Sequence, residues 1–154
     1  FPDGEVSNAD IPAMLSGAVN VRPLGGLQVS VGFEYYWDKS VNWDGWEEYI
    51  DNNSFNINGS IQYSIKDIVL ISASYGYAGM GVNKNYQSDL EYSLSSSSLG
   101  FGAAWNITEN VRVNAGYVMV FYQDDAVPTG EPVVYTQTYN KDSNLLAVGV
   151  DFSF

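Results

Sequence analysis

The sequence predicts an all-β protein, an antiparallel transmembrane β-barrel with about seven strands in this chain. Three features predict it. Apolar residues recur at every second position rather than at helical spacing. The connections between these alternating segments are short and long in turn, as in outer-membrane barrels. No apolar run approaches the roughly 20 residues that a membrane-spanning helix needs.

Each predicted strand is about ten residues long, which at a tilt near 45° covers roughly 25 Å, the height of a lipid-facing band. The last strand shows the pattern most clearly, since Leu146, Val148 and Val150 alternate with small or polar residues. The predicted strands are residues 13–22, 27–37, 55–65, 69–77, 98–105, 111–121 and 146–154. The short connections are residues 23–26, 66–67 and 108–110, and the long ones are residues 38–53, 78–97 and 122–143.

A soluble β-sandwich is the alternative, because its strands alternate in the same way. The polar face of the predicted strands, however, consists mainly of Ser, Gly, Asn and Ala, and aromatic residues gather near strand ends. Charge is also uneven: residues 1–11 and the three long loops carry 14 of the 18 acidic and 3 of the 6 basic residues. These features favour the barrel.

The number of strands indicates a larger assembly. Intact outer-membrane barrels normally have an even number of strands and both chain ends on the periplasmic side. Seven strands place the two ends on opposite sides, so we expect residues 1–154 to form the C-terminal part, about half, of one larger barrel domain.

The composition excludes several kinds of chemistry. With no His and no Cys, the chain has no Ser-His-Asp or Cys-His nucleophile and no His or Cys zinc site. A net charge of -12 repels nucleic-acid phosphates. We therefore expect no enzyme activity, no cofactor and no nucleic-acid partner. We assign no metal site, and calcium binding by the acidic loops stays open.

Four segments resemble one family. They are residues 9–14 (ADIPAM), the aromatic loop from Trp37 to Trp46, residues 114–117 (NAGY) and the end VGVDFSF. They are similar to the C-terminal half of the long-chain fatty-acid and aromatic-hydrocarbon transporters of bacterial outer membranes. The resemblance implies a 14-stranded barrel, a helical hatch supplied by an N-terminal half, and passive uptake of hydrophobic small molecules through a lateral opening.

The interpretation as an outer-membrane barrel also predicts where the protein is located and what it contacts. We expect an integral protein of the bacterial outer membrane with extracellular long loops, in contact with lipid and lipopolysaccharide and inserted by the barrel-assembly machinery. The alternating C-terminal strand with Val150, Phe152 and Phe154 is the predicted assembly signal. A different function stays open: a small structural or adhesive barrel that binds a surface partner through its acidic, aromatic loops.

Two groups of residues are candidates for ligand contact. Charged and polar residues on the inward face are expected to line the ligand path, or else to pair with one another or with the hatch: Arg22, Glu34, Tyr36, Asn58, Arg112 and Asp151. Aromatic residues of the first long loop are expected to capture an apolar substrate at the outer rim, or else to lie at the lipopolysaccharide interface: Trp43, Trp46 and Tyr49.

Overall fold

The computed structural model describes residues 10–88, 92–129 and 135–153. It is an all-β structure with one antiparallel sheet of seven strands, which confirms the predicted fold class at that level. The strands of the sheet are β1 (Met14–Leu24), β2 (Leu27–Tyr36), β3 (Phe55–Ile65), β4 (Val69–Gly79), β5 (Ser96–Asn106), β6 (Val111–Tyr122) and β9 (Asp142–Phe152). A separate ribbon pairs β7 (Asp125–Thr129) with β8 (Tyr135–Tyr139).

Each strand of the sheet pairs with the next one along the chain, in the order β1-β2-β3-β4-β5-β6-β9. Strands β1 and β9 form the two edges and, among the described residues, do not pair with each other, so the sheet is open. The long loops are L1 (residues 37–54), L2 (residues 80–95) and L3 (residues 123–141), and all three lie at the same end of the sheet. The chain enters the sheet at that long-loop end and leaves it at the opposite, short-turn end.

The register aligns the apolar positions of all seven strands on one face. One cross-strand row shows this: Val21, Val29, Ile61, Ala73, Phe101, Tyr117 and Leu146. These side chains are not covered, for Phe101 is 52% exposed and Val148, further along β9, is 71% exposed. We call this surface the apolar face.

Little of the described structure is a packed core. The buried apolar residues among the described ones are Val41, Ile50, Leu94 and Ala104, and the first three lie in L1 and L2. The β7–β8 ribbon has two strands of five residues and packs beside the short 3-10 turn Lys84–Tyr86 of L2. It therefore does not supply the second sheet that a sandwich would need over the apolar face.

Strand boundaries differ from the sequence-based ones mainly next to the long loops. Strand β9 begins at Asp142 rather than at residue 146, although Asp142 and Asn144 interrupt the apolar alternation. Both residues pair with β6, opposite Phe121 and Met119, and Asn144 Oδ1 accepts a hydrogen bond from Tyr117 Oη at 2.9 Å. The backbone ladder continues here because its hydrogen bonds do not depend on side-chain polarity.

No helix in the described part of the chain is long and apolar enough to cross a membrane. Apart from strands, regular structure there consists of three 3-10 turns, Asp38–Ser40, Trp46–Tyr49 and Lys84–Tyr86.

The turn between β1 and β2 provides a test of the register. Gly26 has φ +78°, and a Cβ there would lie 2.6 Å from the Ser64 carbonyl oxygen. Gly25 is unconstrained, since a Cβ there would meet nothing within 4 Å. We predict that Gly26→Ala lowers the free energy of unfolding by about 1–2 kcal/mol or more, because a left-handed backbone disfavours a Cβ.

Gly25→Ala is the matched control and should change the free energy of unfolding much less. Urea unfolding in detergent, which covers the apolar face, measures both variants. Equal losses for the two substitutions would contradict the turn geometry.

Candidate functional site

The six predicted ligand-path residues all lie on the face opposite the apolar face, which we call the polar face. Small residues dominate its centre, for example Ser30, Ser60, Ser74 and Gly100 in one row. The six residues do not form one site. They lie in three places: one group at the long-loop end, and one at each side of the short-turn end.

The group at the long-loop end is centred on Glu34. Glu34 Oε2 accepts hydrogen bonds from Tyr36 Oη at 3.0 Å and from Asn56 Nδ2 at 2.8 Å. Asn58 lies one row nearer the centre of the sheet, opposite Gly32. Sequence reasoning did not select Asn56, although its position opposite Glu34 follows once the register of β2 and β3 is known.

The two arginines lie on different sides of the short-turn end. Arg22 donates from Nε and Nη2 to Gln28 Oε1, both at 3.4 Å. Arg112 Nε donates to Asn114 Oδ1 at 3.0 Å, and Asn114 Nδ2 donates to Asp151 Oδ2 at 2.7 Å. Strands β3, β4 and β5 separate the two groups, so the arginines are not placed to hold one carboxylate between them.

Arg112 and Asp151 also line an open hollow of about 660 Å³ beside the short turns. Asp67 and Glu109 contribute to the same hollow. Three carboxylates and one guanidinium give it a negative formal charge, which makes it a poor receptor for a fatty-acid carboxylate.

An apolar strip crosses part of the polar face, and sequence reasoning missed it. Val118 lies between Gly100 of β5 and Leu145 of β9, and Val120 follows two residues later on the same face. Leu145 is 64% exposed. The signal was present in the sequence, because the alternation in β6 gives way to apolar residues at both parities after Gly116.

Loops L1 and L2 form an ordered cap at the long-loop end. Ile50 and Val82 form an isolated antiparallel bridge, and Gly81 O accepts backbone hydrogen bonds from the amides of residues 51 and 52, each at 2.9 Å. The loops approach closely here, for a Cβ on Gly81 would collide with the Asn52 carbonyl oxygen. Asp38, 8% exposed, holds the base of L1 by accepting a hydrogen bond from Ser54 N at 2.7 Å.

The cap brings together two of the three predicted rim aromatics. The ring centroids of Trp46 and Tyr49 are 5.6 Å apart, and those of Trp46 and Tyr86 are 6.2 Å apart, both pairs edge-to-face. We call Trp46, Tyr49 and Tyr86 the rim aromatic cluster. Tyr86 comes from L2 and was not predicted. Trp43 is held differently, since its indole Nε1 donates to Asp10 O at 2.7 Å.

Carboxylates adjoin the rim aromatic cluster. Glu47 has a lowered pKa because its carboxylate accepts backbone N–H groups, its own first and then those of Trp43 and Gly45. The latter two bonds measure 3.1 and 2.9 Å. Tyr49 has a raised pKa because it hydrogen-bonds to the Glu48 carboxylate. At neutral pH the cluster therefore presents uncharged rings beside anionic groups.

Of the predicted assembly signal, Val150 and Phe152 lie on the apolar face and are exposed. Phe154 lies outside the described residues.

Comparison with known proteins gives no further guide, because the sequence matches no family model and no curated protein. Its function must be inferred from its own residues, geometry and charges.

The Glu47 contacts predict a pH effect on L1. A lowered pKa means that the ionised Glu47 carboxylate stabilises the folded loop. This contribution is fully present above the pKa that Glu47 has in the unfolded chain, and it is lost as pH falls through the lower pKa of the folded chain. A carbon-detected NMR titration of the Glu47 carboxyl group should give a midpoint below that of glutamate in an unstructured peptide.

Glu47→Gln is the control for the loop itself. At neutral pH it should loosen the Trp43–Gly45 turn and increase amide hydrogen exchange there. A normal or raised midpoint for Glu47 would contradict the bonding described.

Proposed function

We propose that this chain forms part of the wall of a bacterial outer-membrane β-barrel that allows hydrophobic small molecules to cross passively. The observation that carries the proposal is the uncovered apolar face, which extends over all seven strands of the sheet. The apolar strip on the polar face supports hydrophobic molecules as the solutes.

Water is a poor environment for the apolar face. Exposed apolar patches on soluble monomers rarely exceed a few hundred Å², and each further Å² costs about 25 cal/mol. The apolar face extends over all seven strands, with large side chains such as Phe101, Trp105 and Leu146 exposed on it. Lipid acyl chains would cover it without a second protein layer, which supports membrane insertion.

The edges of the sheet support a larger closed barrel. Strands β1 and β9 run in the same direction, because seven consecutive antiparallel strands separate the first from the last by an even number of steps. Closure by antiparallel pairing therefore needs an odd number of additional strands. Seven more would make 14, the barrel that the family resemblance implies, and they would satisfy the edge hydrogen bonds that lipid cannot.

The polar face supports a path for hydrophobic solutes. Glycine and serine keep its centre free of bulk, and Val118, Val120 and Leu145 give a solute apolar contact beside that space. A channel for polar solutes would have no need of an exposed apolar strip on its inner wall.

Membrane insertion is tested by two neighbouring residues of β9. Val148 lies on the apolar face, and Gly149 lies on the polar face with space around it. We predict that Val148→Lys costs about 2–4 kcal/mol of insertion free energy if it lies near the bilayer centre, and that Gly149→Lys costs far less.

The measurement is the fraction of protein in the outer membrane that resists extraction by urea. Equal fractions for the two lysine variants would contradict a lipid-facing apolar face. Wild-type protein that remains soluble without detergent would contradict it as well.

Uptake is tested on the apolar strip. We predict that the double variant Val118→Ser with Leu145→Ser slows entry of a radiolabelled aromatic hydrocarbon several-fold, because the solute loses its apolar contact on the inner wall. The matched control, Val113→Ser with Leu146→Ser, alters the apolar face and should leave the rate per inserted molecule unchanged.

Uptake is compared in cells with and without the protein, normalised to its outer-membrane level. Equal uptake with and without the protein would overturn the transport proposal and favour the adhesive barrel. Equal slowing by the strip variant and its control would show that the strip does not line the path.

A further inference from the structure

The geometry of the cap points to a ligand class for the rim aromatic cluster: we propose that Trp46, Tyr49 and Tyr86 bind organic cations that have an apolar body, such as quaternary ammonium compounds. The inference deepens the proposed function, on which it rests, by naming a substrate class for the rim. Cation binding is nevertheless measured separately from transport.

The rings provide an accessible aromatic surface. Trp46 is 50% exposed, and it meets Tyr49 and Tyr86 at interplanar angles of 68° and 78°. Rings packed nearly at right angles form a corner that presents more than one aromatic face to a ligand. The faces of Trp and Tyr rings attract cations through their quadrupoles, Trp most strongly.

The neighbouring charges favour the same ligand. Glu47 and Glu48 belong to the 3-10 turn that carries Trp46 and Tyr49. Residues 1–11 and the three long loops together carry 14 acidic and 3 basic residues, so a carboxylate ligand is repelled there whereas a cation is attracted.

Two of the three basic residues of the long loops make contacts outside the rim aromatic cluster. Lys39 Nζ donates to Asp51 O at 2.8 Å, and Lys141 Nζ lies 4.9 Å from the centre of the Tyr122 ring. The third, Lys84, lies in the turn that carries Tyr86 and lines a hollow of about 320 Å³ to which Asp51 and Asp124 also contribute. Lys141 also shows that this rim already uses one cation–π contact, made by a residue of the chain itself.

The test compares three small benzyl compounds: benzyltrimethylammonium, its uncharged isostere neopentylbenzene, and the anion phenylacetate. Binding is measured by equilibrium dialysis against outer-membrane vesicles that contain the protein, with vesicles lacking it as the blank. We expect the ammonium compound to bind about tenfold more tightly than the isostere at low salt, and phenylacetate to bind most weakly.

Matched variants locate the site. Trp46→Ala and Tyr86→Ala should abolish the preference for the cation, whereas Tyr92→Ala should keep it. Tyr92 is the control because its ring packs on Tyr139, 5.6 Å away, rather than in the cluster. Glu48→Gln should weaken cation binding more than Asp124→Asn, although both remove one charge from the rim.

Equal binding of the ammonium compound and its isostere would overturn the inference, and so would tighter binding of phenylacetate. Equal effects of Tyr86→Ala and Tyr92→Ala would overturn it too, because they would indicate attraction by general rim charge. Cation binding without any uptake of hydrocarbon would overturn the transport proposal and support the cation site. Uptake without cation preference would overturn the cation site alone.

Discussion

The backbone register of the antiparallel ladder is the constraint on which the rest of the structure depends. Because side chains alternate between faces, a slip of one residue in any strand would move its apolar set to the polar face. Tight turns hold that register. The turn after β3, for instance, has positive φ at both Lys66 and Asp67, and Ile68 N bonds to Ile65 O at 3.0 Å. Such turns match the twist of the strands they join.

The same register explains why the sheet lacks a core of its own. Every strand contributes most of its large apolar side chains to one surface, and no second layer in the described part of the chain packs against that surface. Most of the buried apolar residues of the described structure lie in the loops of the cap instead: Val41, Ile50 and Leu94. Backbone hydrogen bonds and cross-strand side-chain contacts hold the strands of the sheet together. The free energy of the apolar face depends on the medium that covers it.

Amide side chains form hydrogen bonds with the charged groups on the polar face. Glu34 is bonded by Asn56, Arg22 by Gln28, and Asn114 links Arg112 to Asp151. Each of these charged groups thus hydrogen-bonds to an amide side chain on its own strand or on the neighbouring one. None of these bonds requires an oppositely charged group in direct contact. The rim differs in composition, because residues 1–11 and the three long loops carry 14 acidic residues against 3 basic ones.

The sequence by itself determined the strands, their two faces and the alternation of short and long connections, since period-two patterning is a local property that each strand carries in its own residues. It also placed all six ligand-path residues on one face. Only the tertiary structure decided which of them meet, because contacts such as Glu34–Asn56 and the rings of Trp46 and Tyr86 join segments distant in the chain. It also decided where β9 begins, since pairing with β6 extends that strand past the point where the apolar pattern ends.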